Sequence, residues 1–371
     1  MSLSSLMRGH TASRGSRCDE PAERPFSGAP DVGFRHTGGT EVCSARRLSV
    51  GAAPCLTSRR QLAHTLRPTS NLSDFTLTER HRSGLRAADA GERPPFELTT
   101  AGRPLCEDLA ALPEDAEYVA TRGNAAGLAR LPVAPHIFAL WATAVTPALV
   151  RTLPTIPGLR ALSLYQLGKA DLGPLAGLAS VEHLLISWAH HLVDLSWLAR
   201  LPKLRTLYLD DLKRVDLDTL PGLPALRALH LGGGMWSTLK VASFAPLRRV
   251  PNLRYLQLSN VKPIDGSLEP LAALRGLREL LAPNVFEVEE CARLSAALPG
   301  VDGRILGAIF AEASLAADGR PLFQCERCGG PRLMLTGRPA AQLCPRCDAA
   351  RIAKRVARWE IARASATAGA T

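Results

Sequence analysis

The chain has 371 residues, is 46% hydrophobic and 5% aromatic, and carries a net charge of +11, so it is long enough to bury a sizeable core. That charge is uneven: residues 96–320 hold 22 Lys/Arg against 22 Asp/Glu, residues 1–95 hold 14 against 9, and residues 321–371 hold 9 against 3. A neutral centre argues against phosphate backbone as its main ligand, because that interaction needs clustered cations.

Residues 1–95 are rich in Arg, Ser, Gly, Thr and Pro and have no sustained apolar period. Such a segment cannot bury enough surface to offset chain entropy, so it is expected to be disordered, or to lie ahead of a true start nearer Arg93–Glu97. An Arg-rich transit peptide is the alternative, but Asp19, Glu20, Glu23 and Asp31 count against it. No secretory signal or bilayer-length apolar run is evident. A cytoplasmic protein with reduced cysteines is therefore expected.

From about residue 97 a period emerges. LRALSLYQL (159–167), LRTLYLDDL (204–212), LRALHLGGG (226–234), LRYLQLSNV (253–261) and LRELLAPNV (277–285) share an LxxLxL core, and VEHLLISWA (181–189) is a weaker copy. The leading residues Leu159, Val181, Leu204, Leu226, Leu253 and Leu277 step by 22, 23, 22, 27 and 24. A period in the twenties with this core predicts a solenoid in which each repeat contributes one strand to a curved parallel sheet. Strand side chains alternate, so Leu207 and Leu209 face inward while Thr206, Tyr208 and Asp210 face outward. Leucines three apart before each strand, punctuated by Pro174, Pro202, Pro221 and Pro251, predict a convex side of short 3-10 turns.

The unit VDLSWLARLPKLRTLYL (193–209) resembles the short, internalin-like class of bacterial leucine-rich repeats, and the resemblance covers about 137–306. It implies a concave face that binds protein. One departure is plain. The class places Asn or Cys where this chain has Leu167, Leu212, Gly234, Val261 and Val285, so the loop amides and carbonyls there need other partners. The solenoid with its caps is assigned to 96–318, with a helix over 288–298.

The outward positions collect Trp141, Tyr165, Tyr208, His230, Tyr255 and Gln257. Aromatic residues concentrate at interface hot spots, so these six are the candidate partner-binding patch. Gly232–Trp236 coincides with the 27-residue step and reads as a loop excursion, since no phosphate-loop lysine follows. No catalytic motif is present, and an enzyme is not expected.

At the other end, Cys325 and Cys328, then Cys344 and Cys347, form two CxxC pairs separated by fifteen residues. This is tetrathiolate metal spacing and looks like a zinc ribbon over 321–350. Four thiolates fill tetrahedral zinc, so the Zn(2+) is expected to be structural. Residues 351–371 follow as a basic helix and tail. There Arg351, Lys354, Arg355 and Arg358 share one face, a candidate nucleic-acid contact. The resulting expectation is a monomeric scaffold that binds a protein partner. Its rivals are a nucleic-acid-associated protein working through the ribbon and a recognition subunit of a modifying system.

Overall fold

The computed structural model describes residues 75–98, 104–311 and 323–368. Residues 1–74, where most of the expected disorder falls, lie outside the described residues, as do parts of the C-terminal cap and tail.

The strands are β1 (Cys106–Asp108), β2 (Tyr118–Ala126), β3 (Ala139–Val145), β4 (Ala161–Leu167), β5 (His183–Ser187), β6 (Thr206–Leu212), β7 (Ala228–Gly233), β8 (Leu239–Val241), β9 (Tyr255–Ser259), β10 (Val261–Pro263), β11 (Glu279–Leu281), β12 (Ile309–Ala311), β13 (Leu333–Leu335) and β14 (Gln342–Leu343). Nine of them form one parallel sheet in the order β1-β2-β3-β4-β5-β6-β7-β9-β11. The equivalent leucines are in register: Leu162 pairs Leu184, Leu184 pairs Leu207, Leu207 pairs Leu229 and Leu229 pairs Leu256. This register, with one strand per repeat, makes the chain a leucine-rich-repeat solenoid.

Between strands run the expected 3-10 turns, including Gly173–Gly177, Ser196–Arg200, Ala245–Arg249 and Glu269–Ala273. Each lays one leucine into the core: Leu175, Leu198, Leu247 and Leu271 are fully buried. The long repeat accommodates its extra residues with β8, which pairs in parallel with β10.

The missing asparagine ladder has a replacement. Asp171, Asp194, Asp216 and Asp265 each accept the amide two residues on, at 2.9–3.0 Å, and Ser243 does the same at 3.1 Å. These local Asx- and Ser-type turns satisfy loop amides inside each repeat. A second device is positive φ at Ala144, Gln166, Trp188, Asp211 and Asn260, between 49° and 58°. Each of these residues turns the chain at a strand end, so that the next one (Val145, Leu167, Ala189, Leu212 or Val261) is buried.

The expectation of disorder through residue 95 is corrected over the part that is described, residues 75–95. Glu79–Ala90 is a helix, α1, which begins on a Thr78–His81 capping box and ends on Gly91 at φ 72°. Its buried face is His81, Gly84, Leu85 and Ala88, spaced as one side of a helix. Sequence periodicity missed it because Leu85 is the only large apolar residue on that face. The helix lies on the concave sheet. Leu85 packs with Leu98, Tyr118, Ala120, Ala139 and Ala161 in a cluster separate from the main core, and His81 stacks on Tyr118 at 4.8 Å.

Two further helices complete the fold: α2 (Pro147–Thr152), on the convex side, and α3 (Val288–Ala297), which closes the solenoid. A 20-residue helix, α4 (Ala349–Ala368), packs on α3. Its Trp359 is buried in the main core, so the C-terminal segment forms part of the cap. Among the described residues no helix is long and apolar enough to cross a membrane.

Candidate functional site: the concave face and the four-cysteine centre

The outward side chains form three rows along the sheet. The first is Tyr118, Ala139, Ala161, His183, Thr206, Ala228 and Tyr255, aligned strand by strand. All seven are buried, although nothing in the repeat requires it. The cover is the segment 75–98. Asp89 lies 3.4 Å from His183 and 3.5 Å from Arg205. Arg254 donates to the Ala90 carbonyl at 3.1 Å, where a helix C-terminus favours cations. The hydrogen bond from His183, and after it the charges of His183, Arg205 and Arg160, hold Asp89 below the usual carboxylate range; burial opposes them.

The six patch residues therefore divide. Tyr255 belongs to the covered row and is buried; its hydroxyl donates to Gln257 at 2.6 Å, and burial pushes the phenol up to about 12. Trp141, Tyr208, His230 and Gln257 lie in the second row. There Trp141 packs on the Leu85 cluster, Tyr208 meets Phe96 edge-on at 5.3 Å, and His230 is buried, stacked on Tyr208 at 4.1 Å. Tyr165 lies in the third row, beyond the cover. The three tyrosines thus sit on three different rows of non-adjacent strands, so the six candidate residues do not form one open patch. The signal that could have revealed the cover is the run Ala139, Ala161, Thr206 and Ala228: small residues are poor hot spots but leave room for a helix.

The third row stays open. Tyr165 contacts Trp188 at 5.2 Å, and Trp188 stacks on His190 at 6.5 Å. Asp210 accepts from His230 at 3.1 Å, and Asp211 lies 3.5 Å from His190. Burial works against ionisation of Asp210, but the hydrogen bonds from His230 and Tyr208 hold its carboxyl low.

At the other end, β12, β13 and β14 form an antiparallel sheet in which β13 and β14 make a hairpin. Between its knuckles, Cys325, Cys328, Cys344 and Cys347 bring their sulfurs within 4.8 Å of one another. All four are free thiols, and Cys328 and Cys344 stand 3.5 Å apart. Tetrahedral zinc at about 2.3 Å from each sulfur places sulfurs roughly 3.8 Å apart, so the set fits such an ion. Each knuckle is held locally. The Cys325 amide donates to the Gly330 carbonyl at 2.8 Å, and Gly329, at φ 67°, returns its amide to the Cys325 carbonyl at 2.7 Å. Asp348 accepts from the Cys344 amide at 3.1 Å and from Arg327 of the opposite knuckle at 2.7 Å. Within the four-thiol cluster the shifts oppose one another: the backbone amides of Arg327 and Cys328 draw the Cys325 thiol down, while the hydrogen bond with Cys328 and then burial push the Cys347 thiol up.

Two of the four cations named as a candidate nucleic-acid contact are engaged within the chain. Arg355 donates to the carbonyls of Thr336, Gly337 and Pro339 at 2.7, 3.2 and 2.9 Å. Arg358 forms a two-pronged pair with Glu289 at 2.6 and 2.9 Å. Both fasten α4 to the ribbon and cap. Arg351 is exposed, 3.9 Å from Asp348, and Lys354 is exposed. Cys106 packs partly buried against the core and Cys291 lies within it.

No protein-family model matches the chain, and no curated protein matches it. Among solved structures it is similar to an internalin (inlF) of Listeria monocytogenes, at 20% identity over 50% of this chain and 59% of that one, with a TM-score of 0.37. It is also similar to a leucine-rich-repeat protein of Leptospira interrogans, at 14% identity over 47% and 43%, TM-score 0.36, and to internalin C2 of Listeria monocytogenes, at 20% identity over 51% and 70%, TM-score 0.32. The chain thus spans about 59% of the internalin inlF structure and 43% of the Leptospira one.

Proposed function

We propose that this protein is an interaction scaffold: a rigid leucine-rich-repeat solenoid that holds a protein partner on the part of its sheet left open by its own N-terminal segment, with one structural zinc ion in the C-terminal cap. The carrying observation is the strip formed by Tyr165, Trp188, His190, Asp210 and Asp211, where aromatic and charged side chains stand together on a preformed sheet. Such a sheet costs little to order on binding. Cys325, Cys328, Cys344 and Cys347 would hold the zinc; four thiolates leave no open position, so the ion would supply folding energy to the ribbon. The rival, in which the basic ribbon binds nucleic acid, is weakened by the internal engagement of Arg355 and Arg358.

The test is cross-linking of the purified full chain to candidate proteins, with a nucleic-acid binding assay across a salt series alongside. Saturable binding of a protein whose cross-links fall on β4–β9 supports the scaffold. Retention of nucleic acid that falls steeply with salt, without any saturable protein partner, overturns it.

A further inference from the structure

The open strip has a definite chemistry, and the inference drawn from it rests on the scaffold reading. Over β4, β5, β6, β7 and β9 its third-row residues are Tyr165, Ser187, Asp210, Gly232 and Ser259, and the residues that follow them are Gln166, Trp188, Asp211, Gly233 and Asn260. The charged side chains in this set are two neighbouring carboxylates, Asp210 and Asp211. Lys213 and Arg214 come only after the buried Leu212. On one side of the carboxylates stands Trp188, 44% exposed, in contact with Tyr165. On the other, the loop after β7 carries Met235, 84% exposed, and Trp236, 94% exposed. Asn260 ties that loop to the sheet edge through the Gly234 and Ser237 carbonyls at 2.9 and 3.1 Å.

Two further observations mark this edge as more than surface filler. Trp188 holds φ 57°, a conformation that is costly for a bulky residue and uncommon outside Gly, Asn and Asp. The same repeat position elsewhere holds Ala144, Gln166, Asp211 and Asn260, so nothing in the repeat demands an indole. In addition, Gly232 and Gly234 leave room for the carboxylates, whose neighbours within the chain are His230 and His190: a Cβ at either glycine would fall 2.0 Å from an Asp210 oxygen or 2.3 Å from an Asp211 oxygen.

We infer that this edge receives an extended protein segment bearing arginine or lysine, whose cationic heads lie against Trp188 and Trp236 and pair with Asp210 and Asp211. Aromatic faces attract cations, most strongly when water is displaced, and tryptophan does so best. Paired carboxylates supply the complementary field that steers and orients the segment.

The test uses the full chain and fluorescently labelled peptides of about fifteen residues in which arginines, lysines or glutamates are spaced by glycine and serine, read by fluorescence polarisation. The arginine and lysine peptides are expected to bind and the glutamate peptide to fail. Trp188→Ala should weaken binding about five- to tenfold, and Asp210→Asn with Asp211→Asn about tenfold or more while flattening the salt dependence. Because Trp188 sits at positive φ, Trp188→Asn, which tolerates that backbone, serves as a second variant. Lys354→Ala should change nothing, and thermal melts establish that each variant is folded. Equal binding of the glutamate peptide, or cationic-peptide binding untouched by all of these edge variants, overturns the inference. If a protein partner cross-links to the sheet while no cationic peptide binds, the cationic assignment falls and the scaffold reading stands; if neither binds, both fall.

Discussion

Replacing Leu85 by alanine isolates the contact that closes the concave face. Leu85 is buried by Leu98, Tyr118, Ala120, Ala139 and Ala161. Truncating a buried leucine costs about 2–5 kcal/mol. The cost should fall on docking of α1 rather than on the solenoid, because this cluster is separate from the main core. Twelve helical residues alone are marginal in water, so undocking also unwinds the helix. Taking about 2–3 kcal/mol, the open fraction rises roughly 30- to 150-fold, since about 1.4 kcal/mol is tenfold. Hydrogen exchange on the full chain should report this as lost protection at residues 82–91 while Leu184, Leu207 and Leu229 keep theirs. Unchanged protection of α1, or equal loss along the leucine strands, would falsify the assignment of 75–98 as a separately held cover.

Leu207→Asp places a charge at the fully buried centre of β6 and should cost more than about 4 kcal/mol; a melt that keeps its wild-type midpoint would refute the register. On the proposed zinc assignment, Cys344→Ser should abolish one equivalent of metal and also loosen the last repeats, because Trp359 joins α4 to the core; metal analysis with exchange on α3 reads both, and zinc retained at one per chain would refute the ligand set. Asp89 is depressed in the folded chain, so its contribution is present above the ordinary carboxylate pKa and disappears as pH falls through the depressed value. Protection of α1 should therefore drop on acidification below about pH 4, and Asp89→Asn should remove that dependence; acid sensitivity persisting in the variant would assign it elsewhere.

Much of this was legible because its causes are local or periodic. The leucine spacing sets which residues enter the core, and two CxxC pairs fix four sulfurs through turns that need only neighbouring amides. The loop aspartates were readable in principle too, each bonding an amide two residues away. The cover was not, because its determinants are distributed. A helix whose inner face is His81, Gly84, Leu85 and Ala88 has little apolar signal by itself, and its docking depends on alanines at Ala139 and Ala161, more than fifty residues downstream. The basic face over 351–358 misled for the converse reason: helical spacing placed the cations together, but carbonyls and Glu289 from other segments decided which were available.

The cover has a mechanical consequence. In a bare repeat array each unit contacts only its neighbours, so the bow can flex and repeats can be added or lost with little penalty. Here a stiff rod of about 18 Å bears on side chains of β2, β3, β4 and β5, and is clasped from beyond by Arg205 and Arg254. Opening the bow would drag Tyr118 and Ala161 away from fixed points on the rod. The helix acts as a strut that sets curvature and repeat count together, so inserting or deleting one unit between β2 and β9 would put every rung beyond it out of step.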